Sequence, residues 1–576
     1  MTTADVLFTG GALFAGTGAP LAGHALAVAD GRILALVPAD SAAEYIGADT
    51  RVVELNGALL APGFQDAHVH PIGAGLEMLQ CDLSASEDAQ DSVARVAAYA
   101  AANPEAEWIL GGGWSMDHFA GGAPSRVLLD AAVPDRPVIL ASRDHHSAWA
   151  NTAAIKAAGL DASTPDPADG RIEREADGYP QGTFHEGAEH LFASVRPAVS
   201  DQQAYAGLMK AQEELLAVGI TGWQDAWVGK GMSGISDIDA VYRKAAAAGD
   251  LSVHVRGAQW WERDRGLEQI PEMVARRDSA ASQGTGPAYV PGTVKIMVDG
   301  VAENHTAAML TPYHDHSGHT TDNAGLSFVD PQLLQEAVTQ LDAAGFQVHF
   351  HALGDRAVRE ALDAIEAART ANGPSKNRHH LAHLQMVDAA DTGRFVALDA
   401  TANLQALWAC HEDQLDELTL PFLREGAELR HYPFGELVEK GAPLAAGSDW
   451  PVSSADPLQA LHVAVNRAYP ESEFGPLGGA SQSLDVATFL AAYTSGTARI
   501  NHRDADTGTL AEGYLADLVV IEPNPFELDA ADLHTAAVTS TWIAGTPVFQ
   551  AASQAHDDGA AAASESATAA SAGGAA

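Results

Sequence analysis

The chain has 576 residues, a formal net charge of −44 and a hydrophobic share of 47%. That share is ordinary for a globular protein with a large core, and the absence of a run of about 18 apolar residues argues against a membrane-spanning helix. The acidic charge is spread along the chain, so it argues against partners such as nucleic acid or anionic membranes, and we interpret it as a solubility feature.

Only two cysteines, Cys81 and Cys410, are present, which excludes a disulfide scaffold and suits a reducing compartment. The first residues lack the basic segment of a secretory signal, and we therefore expect a cytoplasmic protein. We also expect a homodimer, because this is the commonest form of soluble oligomer.

Both ends of the chain are predicted to be β-structure. Residues 1–58 alternate short apolar runs with glycine turns, as in DVLFTGGALF, and the pattern returns near the C-terminus in ADLVVIEPNPF and STWIAGTPVF. Each piece is too small to be stable alone, so we expect residues 1–58 and 505–550 to form one small composite β-sandwich domain. Residues 551–576 are rich in Ala, Ser and Gly and are predicted to be a disordered tail.

Between these ends, residues 59–504 alternate short apolar runs with alanine-rich helical stretches, which predicts βα units around a parallel sheet. Eight candidate strands occur, the number that closes an α/β fold of the (β/α)8 TIM-type barrel class. They are residues 59–70, 219–226, 251–259, 293–300, 346–354, 379–385, 401–408 and 443–451. Residues 71–218 are far longer than a βα crossover and are interpreted as a large insertion over the barrel mouth, with a remote subdomain as the alternative.

Ligand-type side chains lie near the carboxyl ends of five candidate strands, the face at which such barrels carry their active sites. His68 and His70 end the first strand and share one face of it, because alternate strand residues point the same way. Lys295 in the fourth strand is flanked by apolar residues; it is either a lysine that extends its amine to water, or a neutral amine able to form a carbamate.

The remaining strands supply histidines and one carboxylate. His349 and His351 lie on the fifth strand, His379, His380 and His383 on the sixth, and Asp449 at the end of the eighth. A single histidine on an apolar strand is usually a hydrogen-bonded core residue, but five strands converging on one axis predict a metal site. Nitrogen and oxygen ligands without thiolate suit zinc, manganese or a similar divalent ion.

The motifs GFQDAHVHP, VKIMVDG, HALGD, AHLQ and GSDWP occur in this order. Together with GGGWSMD, DHHSAWANTAAI and GTLAEGYLADLVVIEPNPF they resemble the amidohydrolase superfamily, and within it the YtcJ-like, amidohydrolase-3 branch that includes N-substituted formamide deformylase. The resemblance extends from about residue 4 to residue 550. It implies a metal-dependent amidohydrolase that cleaves carbon–nitrogen bonds other than peptide bonds, in amides or formamides, with a metal-bound hydroxide.

The resemblance also implies a set of metal ligands. His68 and His70 would bind the more buried ion, and His351 and His383 would bind a second ion. The expected cofactor is therefore one or two divalent ions per chain, with zinc as the first choice. The complete implied set is His68, His70, Lys295, His351, His383 and Asp449.

Two of these residues have an additional implied role. Lys295, carbamylated, would bridge both ions, and Asp449 would carry the proton from the water nucleophile to the leaving nitrogen. His349 has no counterpart in the family and is left as a supporting or structural histidine.

Four further residues are candidate contacts for a small-molecule substrate. Trp114, His146 and Glu186 lie in the most family-like parts of the insertion, and Trp450 directly follows Asp449. Aromatic groups there suit a hydrophobic or aryl substituent on the substrate nitrogen. Packing within the insertion remains the alternative for each of them.

Other functions stay open on the same barrel. A mononuclear deaminase usually has a glutamate shortly after the fifth-strand histidine, whereas Ala352, Leu353, Gly354 and Asp355 follow here. A lactone or ester hydrolase would use the same chemistry on a different carbonyl. A non-catalytic binding protein would be expected to lack at least one of the six ligands, and none is missing.

Overall fold

The computed structural model describes residues 3–229, 234–235, 237–283 and 288–552. The predicted tail, residues 551–576, lies outside these residues except for Ala551 and Ala552. Eight parallel strands follow one another in chain order around a TIM-type α/β barrel, and each overlaps one predicted segment. The barrel strands are Phe64–Val69, Ile220–Val228, His254–Trp260, Tyr289–Met297, Gln347–Ala352, His380–His383, Thr401–Leu404 and Leu444–Ala446.

The barrel closes between its eighth and first strands. Just beyond the strand ends, the Asp449 amide donates to the His68 carbonyl at 2.8 Å and the His70 amide donates to the Trp450 carbonyl at 3.0 Å. The buried carboxylate of Asp66 reinforces this seam, because it accepts hydrogen bonds from the backbone amides of His68 and Ser448 and from the Ser448 hydroxyl. Three candidate metal ligands, His68, His70 and Asp449, are thereby brought to the same seam.

The predicted strand 59–70 is divided into two strands in the structure. Leu59–Pro62 joins a terminal sheet, and only Phe64–Val69 belongs to the barrel. Gly63 separates them, and a Cβ atom there would lie 2.3 Å from the Thr221 side chain. A glycine therefore lets the chain pass closely between the two sheets.

Helices cover the outside of the barrel. Two of them begin with an aspartate followed by proline. The Asp330 side chain accepts from the Gln332 and Leu333 amides, and the Asp456 side chain accepts from the Leu458 amide. The α-helices are Pro71–Met78, Ala89–Ala102, Arg126–Ala132, Thr152–Ala157, Asp201–Ala217, Ile238–Ala248, Ile270–Ser282, Pro331–Ala343, Asp355–Asn372, Arg394–Ala397, Asp413–Leu418, Phe434–Glu439, Pro457–Asn466, Val486–Ala491 and Thr497–Ile500. Among the described residues, none of these helices is long and apolar enough to cross a bilayer.

Strands from both chain ends form two further sheets. One contains, in order, Arg32–Pro38, His24–Ala29, Val6–Thr9 and Arg51–Glu54. The other contains Ala12–Leu13, Leu59–Pro62, Leu518–Glu522, Ala537–Ile543 and Thr546–Gln550. The two sheets share one apolar cluster, in which Phe8 meets Trp542 edge to face with ring centroids 5.0 Å apart.

The segment between the first two barrel strands carries a six-stranded mixed sheet. Its strands in spatial order are Gly170–Arg174, Pro180–Glu186, Ser147–Ala150, Val138–Ser142, Ile109–Trp114 and Cys81–Asp82. Two small apolar clusters lie on this sheet, one of them built around Trp114 and Trp149.

Candidate metal centre

Three ligand-type side chains meet where the first, sixth and eighth barrel strands end. Single ligand atoms of His68, His383 and Asp449 all lie within 4.8 Å of one another, and all three residues are buried. The Asp449 carboxylate is 3.3 Å from His68 Nε2, 3.1 Å from His70 Nε2 and 3.7 Å from His383 Nδ1. This arrangement is a candidate site for a divalent metal ion.

Lys295 and His351 adjoin this group. Lys295 is 2% exposed, and its Nζ lies 3.2 Å from His68 Nε2. The His351 ring lies beside His383, with ring centroids 4.5 Å apart. The structure thus brings together all six residues of the predicted ligand set around one cavity.

The polar atoms of this group fit a cation. Both ring nitrogens of His383 are buried without a hydrogen-bond partner among the described residues, as is His70 Nδ1. Asp449 Oδ1 is close to the nitrogens of His68 and His70, but the geometry of these contacts does not form a hydrogen bond. Buried polar atoms without partners cost about 1–3 kcal/mol each, and a divalent ion is a ligand that imidazole nitrogens and carboxylate oxygens share.

The backbone is strained at two of these positions. His383 and Asp449 adopt positive φ angles of 77° and 57°, which side chains with a Cβ rarely adopt. The Gln405 side chain holds the His383 amide at 2.6 Å, and Asp66 secures the seam next to Asp449. Such strain at strand ends is typical of functional sites, where surrounding contacts maintain it.

Burial and charge set the ionisation of the group. Burial, followed by the charge of Lys295, lowers the pKa of His68 to about 3, and burial lowers the pKa of Lys295 to about 7. Burial opposes ionisation of Asp449, but His68 and His70 outweigh it and hold the pKa of this carboxyl well below its usual range. Neutral imidazoles beside an ionised carboxylate are the protonation states that metal binding requires.

A cavity of about 640 Å³ lies over these residues, between the barrel and the six-stranded sheet. His146 and Glu186 from that sheet line it together with the ligand set. His146 Nδ1 donates to Glu186 at 3.0 Å, and Thr306 supports the same carboxylate at 2.9 Å. Burial would lower the pKa of His146, but the Glu186 charge outweighs it and raises the pKa to about 9. The cavity thus contains a charged hydrogen-bond donor 5.6 Å from the His351 ring, measured between centroids.

Trp114 and Trp450, two of the predicted substrate contacts, are not among the described residues that line this cavity. Trp114 is fully buried in the apolar cluster of the six-stranded sheet, where its indole donates to the Leu140 carbonyl at 3.0 Å. Trp450 packs partly buried against the main barrel core. Neither residue is among the described residues that line the cavity, so packing, the alternative that the sequence left open, accounts for both positions.

Several residues of the site were missed by the sequence analysis. Trp227 and Trp260 stack in parallel on the cavity wall, with ring centroids 3.7 Å apart. Trp227 lies one residue before the end of its barrel strand, and Trp260 is the last residue of the adjacent strand. These positions were a signal in the sequence, but the strand register that pairs the two residues could not be read from it. Asp299 was also missed; its carboxylate accepts from the amides of Leu353 and Gly354 and so secures the loop after His351.

The other histidines near the site have separate partners. His379 Nε2 lies 3.0 Å from the Asp342 carboxylate on a neighbouring helix. His349 and His380 both hydrogen-bond to Gln224 inside the barrel. His349 also contacts His68 at 3.0 Å, so it lies directly behind a candidate metal ligand.

Known proteins include two relatives that match this chain over most of its length. The chain is 31% identical over 524 residues to the Bacillus subtilis (strain 168) protein named "Putative amidohydrolase YtcJ", covering 88% of this chain and 92% of that protein. It is 27% identical over 545 residues to N-substituted formamide deformylase from Arthrobacter pascens, covering 91% and 94% of the two chains.

The fold has a counterpart among solved structures. An uncharacterised metal-dependent hydrolase from Pyrococcus horikoshii superposes with a TM-score of 0.69 at 22% identity, covering 91% of this chain and 99% of that chain. A family model described as Amidohydrolase family matches residues 51–549. The match and the relatives confirm the resemblance of the motifs: the chain belongs to the amidohydrolase family.

Proposed function

We propose that the protein is a divalent-metal-dependent hydrolase that cleaves the carbon–nitrogen bond of an amide or formamide. The observation that carries this proposal is the convergence of His68, His383 and Asp449 within 4.8 Å, with buried nitrogen and oxygen atoms that lack partners. The family membership supports hydrolysis, and the relative named N-substituted formamide deformylase supports the choice of bond.

The residues that would hold the ions are the six of the predicted set, with zinc as the first choice. A bound divalent ion would polarise the substrate carbonyl and lower the pKa of a water from about 15.7 to about 7. Lys295 would contribute as a carbamate: its neutral amine forms a bond to the carbon of CO₂ and releases one proton. Its complete burial beside His68 and its lowered pKa support this modification.

Asp449 would move the proton that the reaction requires. Hydrolysis adds water across the C–N bond, so that R–CO–NH–R′ and H₂O give R–COOH and H₂N–R′. An amine leaves readily only when it is protonated, and Asp449 is the carboxylate at the centre of the site that can take the water proton and deliver it to nitrogen. His146, held by Glu186, would donate from the cavity wall to the substrate.

The stacked pair Trp227 and Trp260 replaces Trp114 and Trp450 as the proposed contact for an aryl or hydrophobic substituent on the nitrogen. A deaminase is less well supported. The carboxylate that follows His351, Asp355, is engaged by the Leu310 amide at 2.7 Å and begins a helix. A lactone or ester hydrolase is the second candidate, since the same metal ligands would serve the hydrolysis of an amide, a lactone or an ester carbonyl.

The proposed domain organisation also rests on the structure. The apolar cluster shared by the two terminal sheets supports one composite β-sandwich from residues 1–58 and 505–550. Residues 71–218 contribute His146 and Glu186 to the cavity, which supports an insertion over the barrel mouth. The homodimer and the cytoplasmic location stay predictions.

The test is a substrate panel assayed with metal-depleted protein and with protein reconstituted with zinc and bicarbonate. The panel contains N-benzyl formamide, N-alkyl formamides, linear amides, lactones and an aminopurine. We expect zinc-dependent release of an amine from formamides or amides, and no such release by a His383→Ala variant. Turnover of lactones alone, or release of ammonia from the aminopurine alone, would overturn the proposed bond specificity.

A further inference from the structure

A chain of buried amide and imidazole side chains crosses the barrel interior and ends at His68. We call this hydrogen-bonded chain of Gln347, Gln224 and His349 the relay. It begins at Gln347, whose Nε2 contacts the backbone carbonyls of Arg378 at 2.7 Å and Ile500 at 2.8 Å. Since a backbone carbonyl can only accept a hydrogen bond, these contacts fix which end of the Gln347 amide is nitrogen. Its Oε1 is therefore an acceptor that faces Gln224.

Gln224 is the next residue, and its hydrogen bonds also show which end of its amide donates and which end accepts. Its Nε2 lies 3.2 Å from Gln347 Oε1 and 3.2 Å from Asn501 Oδ1, so this end of the amide is the donor. Its Oε1 is then an acceptor, and it lies 2.9 Å from both His349 Nδ1 and His380 Nε2. Each of these ring nitrogens must therefore carry a proton.

The next link is His349, which is 0% exposed. Among the described residues its ring nitrogens hydrogen-bond only to Gln224 and His68, and a buried imidazole without an acidic partner is neutral. With its proton on Nδ1, its Nε2 presents a lone pair. That atom lies 3.0 Å from His68 Nδ1, which must donate to it.

The proton of His68 is thereby assigned to Nδ1, and His68 Nε2 carries a lone pair. This atom faces Asp449 Oδ1 at 3.3 Å, so two acceptors lie opposite each other. Lys295 Nζ, 3.2 Å away, is the donor that the described residues place beside it. His68 and Asp449 could both direct these lone pairs at a divalent ion, which would remove the opposition of the two acceptors.

We propose that Gln224 and His349 are positioning residues that hold His68 in its Nδ1–H tautomer and so keep its Nε2 lone pair available to a divalent ion. Without them the proton of His68 can move to Nε2 and form a hydrogen bond to Asp449. That hydrogen bond would engage two candidate metal ligands at once. This inference rests on the proposed metal-dependent function. It assigns a role to His349, for which the family pattern offers none.

The role predicts a change in metal affinity that needs no substrate to detect. Supporting hydrogen bonds to metal-bound histidines typically contribute about 10–100-fold in affinity. Gln224→Met removes the acceptor that fixes the proton of His349, and His349→Phe removes the acceptor that fixes the proton of His68. Each should raise the zinc dissociation constant by about 10–100-fold. His349→Gln, whose amide oxygen can accept from His68 Nδ1, should restore most of the affinity.

The experiment measures the zinc dissociation constant of the full chain by competition with a chromophoric chelator. The matched control is Gln259→Met: Gln259 is also 0% exposed, lies on the barrel strand next to that of Gln224, and donates to two backbone carbonyls outside the relay. The control should bind zinc as the parent does. Thermal melting of the metal-free proteins shows that each variant is folded.

Three outcomes are decisive. Weakened zinc binding in Gln224→Met and His349→Phe, with parental binding in Gln259→Met and near-parental binding in His349→Gln, supports the relay. Parental binding in all four folded variants overturns the relay and leaves the proposed function intact. A parent protein that does not bind zinc overturns the proposed function and the relay together.

Discussion

Asp449→Asn should separate proton transfer from metal binding. The asparagine has the same shape, and its amide oxygen can stay near His68 and His70, from which the carboxylate is 3.3 and 3.1 Å away. The amide cannot take a proton near neutral pH. General acid–base catalysis contributes about 10²–10⁴-fold, equivalent to about 2.7–5.4 kcal/mol in the barrier. We expect kcat to fall by that factor while the metal content remains close to the parent's.

The assay follows amine release at saturating substrate, with metal content measured on the same preparations. Asp456→Asn is the matched control, because Asp456 lies seven residues further on and caps a helix, a position where asparagine serves equally well. It should retain the parental kcat. An Asp449→Asn variant that keeps its metal and a near-parental kcat would refute the role of Asp449 as proton carrier.

Three further predictions concern the cavity and the adjoining sheet. Burial raises the pKa of Glu77 from 4.5 to about 8, so the folded state binds this proton more tightly than the unfolded state does. The free energy of unfolding therefore falls as the pH rises from 4.5 to about 8, by at most about 5 kcal/mol. Glu77→Gln should therefore melt at a higher temperature than the parent at pH 8 and at a similar temperature near pH 4, as measured by scanning calorimetry. Trp114→Ala should lower stability by about 3–5 kcal/mol in denaturant unfolding and leave the ratio of kcat/KM for aryl and alkyl substrates unchanged, because Trp114 fills an apolar core. Trp260→Ala should raise KM for aryl substrates more than for small alkyl substrates, because it removes half of the stacked pair on the cavity wall.

Each of these predictions has a control or a contrary result. Glu87→Gln, at an exposed position, should melt as the parent does at both pH values, and equal melting temperatures of Glu77→Gln and the parent at pH 8 would contradict the buried-carboxyl argument. A changed substrate preference in a folded Trp114→Ala variant would indicate that Trp114 contacts the substrate after all. Equal changes in KM for aryl and alkyl substrates in Trp260→Ala would count against the stacked pair as a substrate contact.

The sequence was sufficient to predict the barrel and the grouping of the candidate metal ligands. Ligand-type residues recur at the carboxyl ends of strands, and in a parallel barrel all those ends meet at one face, so His68, Lys295 and Asp449 could be placed together without a structure. The confirmed family resemblance added no candidate metal ligand to those already marked by this pattern. It supplied their implied roles and the candidate substrate contacts in the insertion.

The lining of the cavity could not be predicted in the same way. Trp227 and Trp260 come together because Val228 pairs with Gln259 in the barrel, a register that the sequence does not specify. Trp114 looked like a pocket residue because its motif is family-like, but a motif marks a packed core as readily as a binding surface. The hydrogen-bond chain through Gln224 and Gln347 could not be predicted either. An uncharged glutamine does not mark a metal site in a sequence, and its partners inside the barrel depend on the three-dimensional packing.

The central claim is that the group around His68, His383 and Asp449 binds a divalent metal ion. The most direct measurement is the metal content per chain by elemental mass spectrometry, on protein purified without chelator and compared with a His68→Ala, His383→Ala double variant. The account predicts one to two divalent ions per chain in the parent, most of which are lost in the double variant. A parent protein without bound metal, even after reconstitution with zinc and with manganese in bicarbonate, would contradict it.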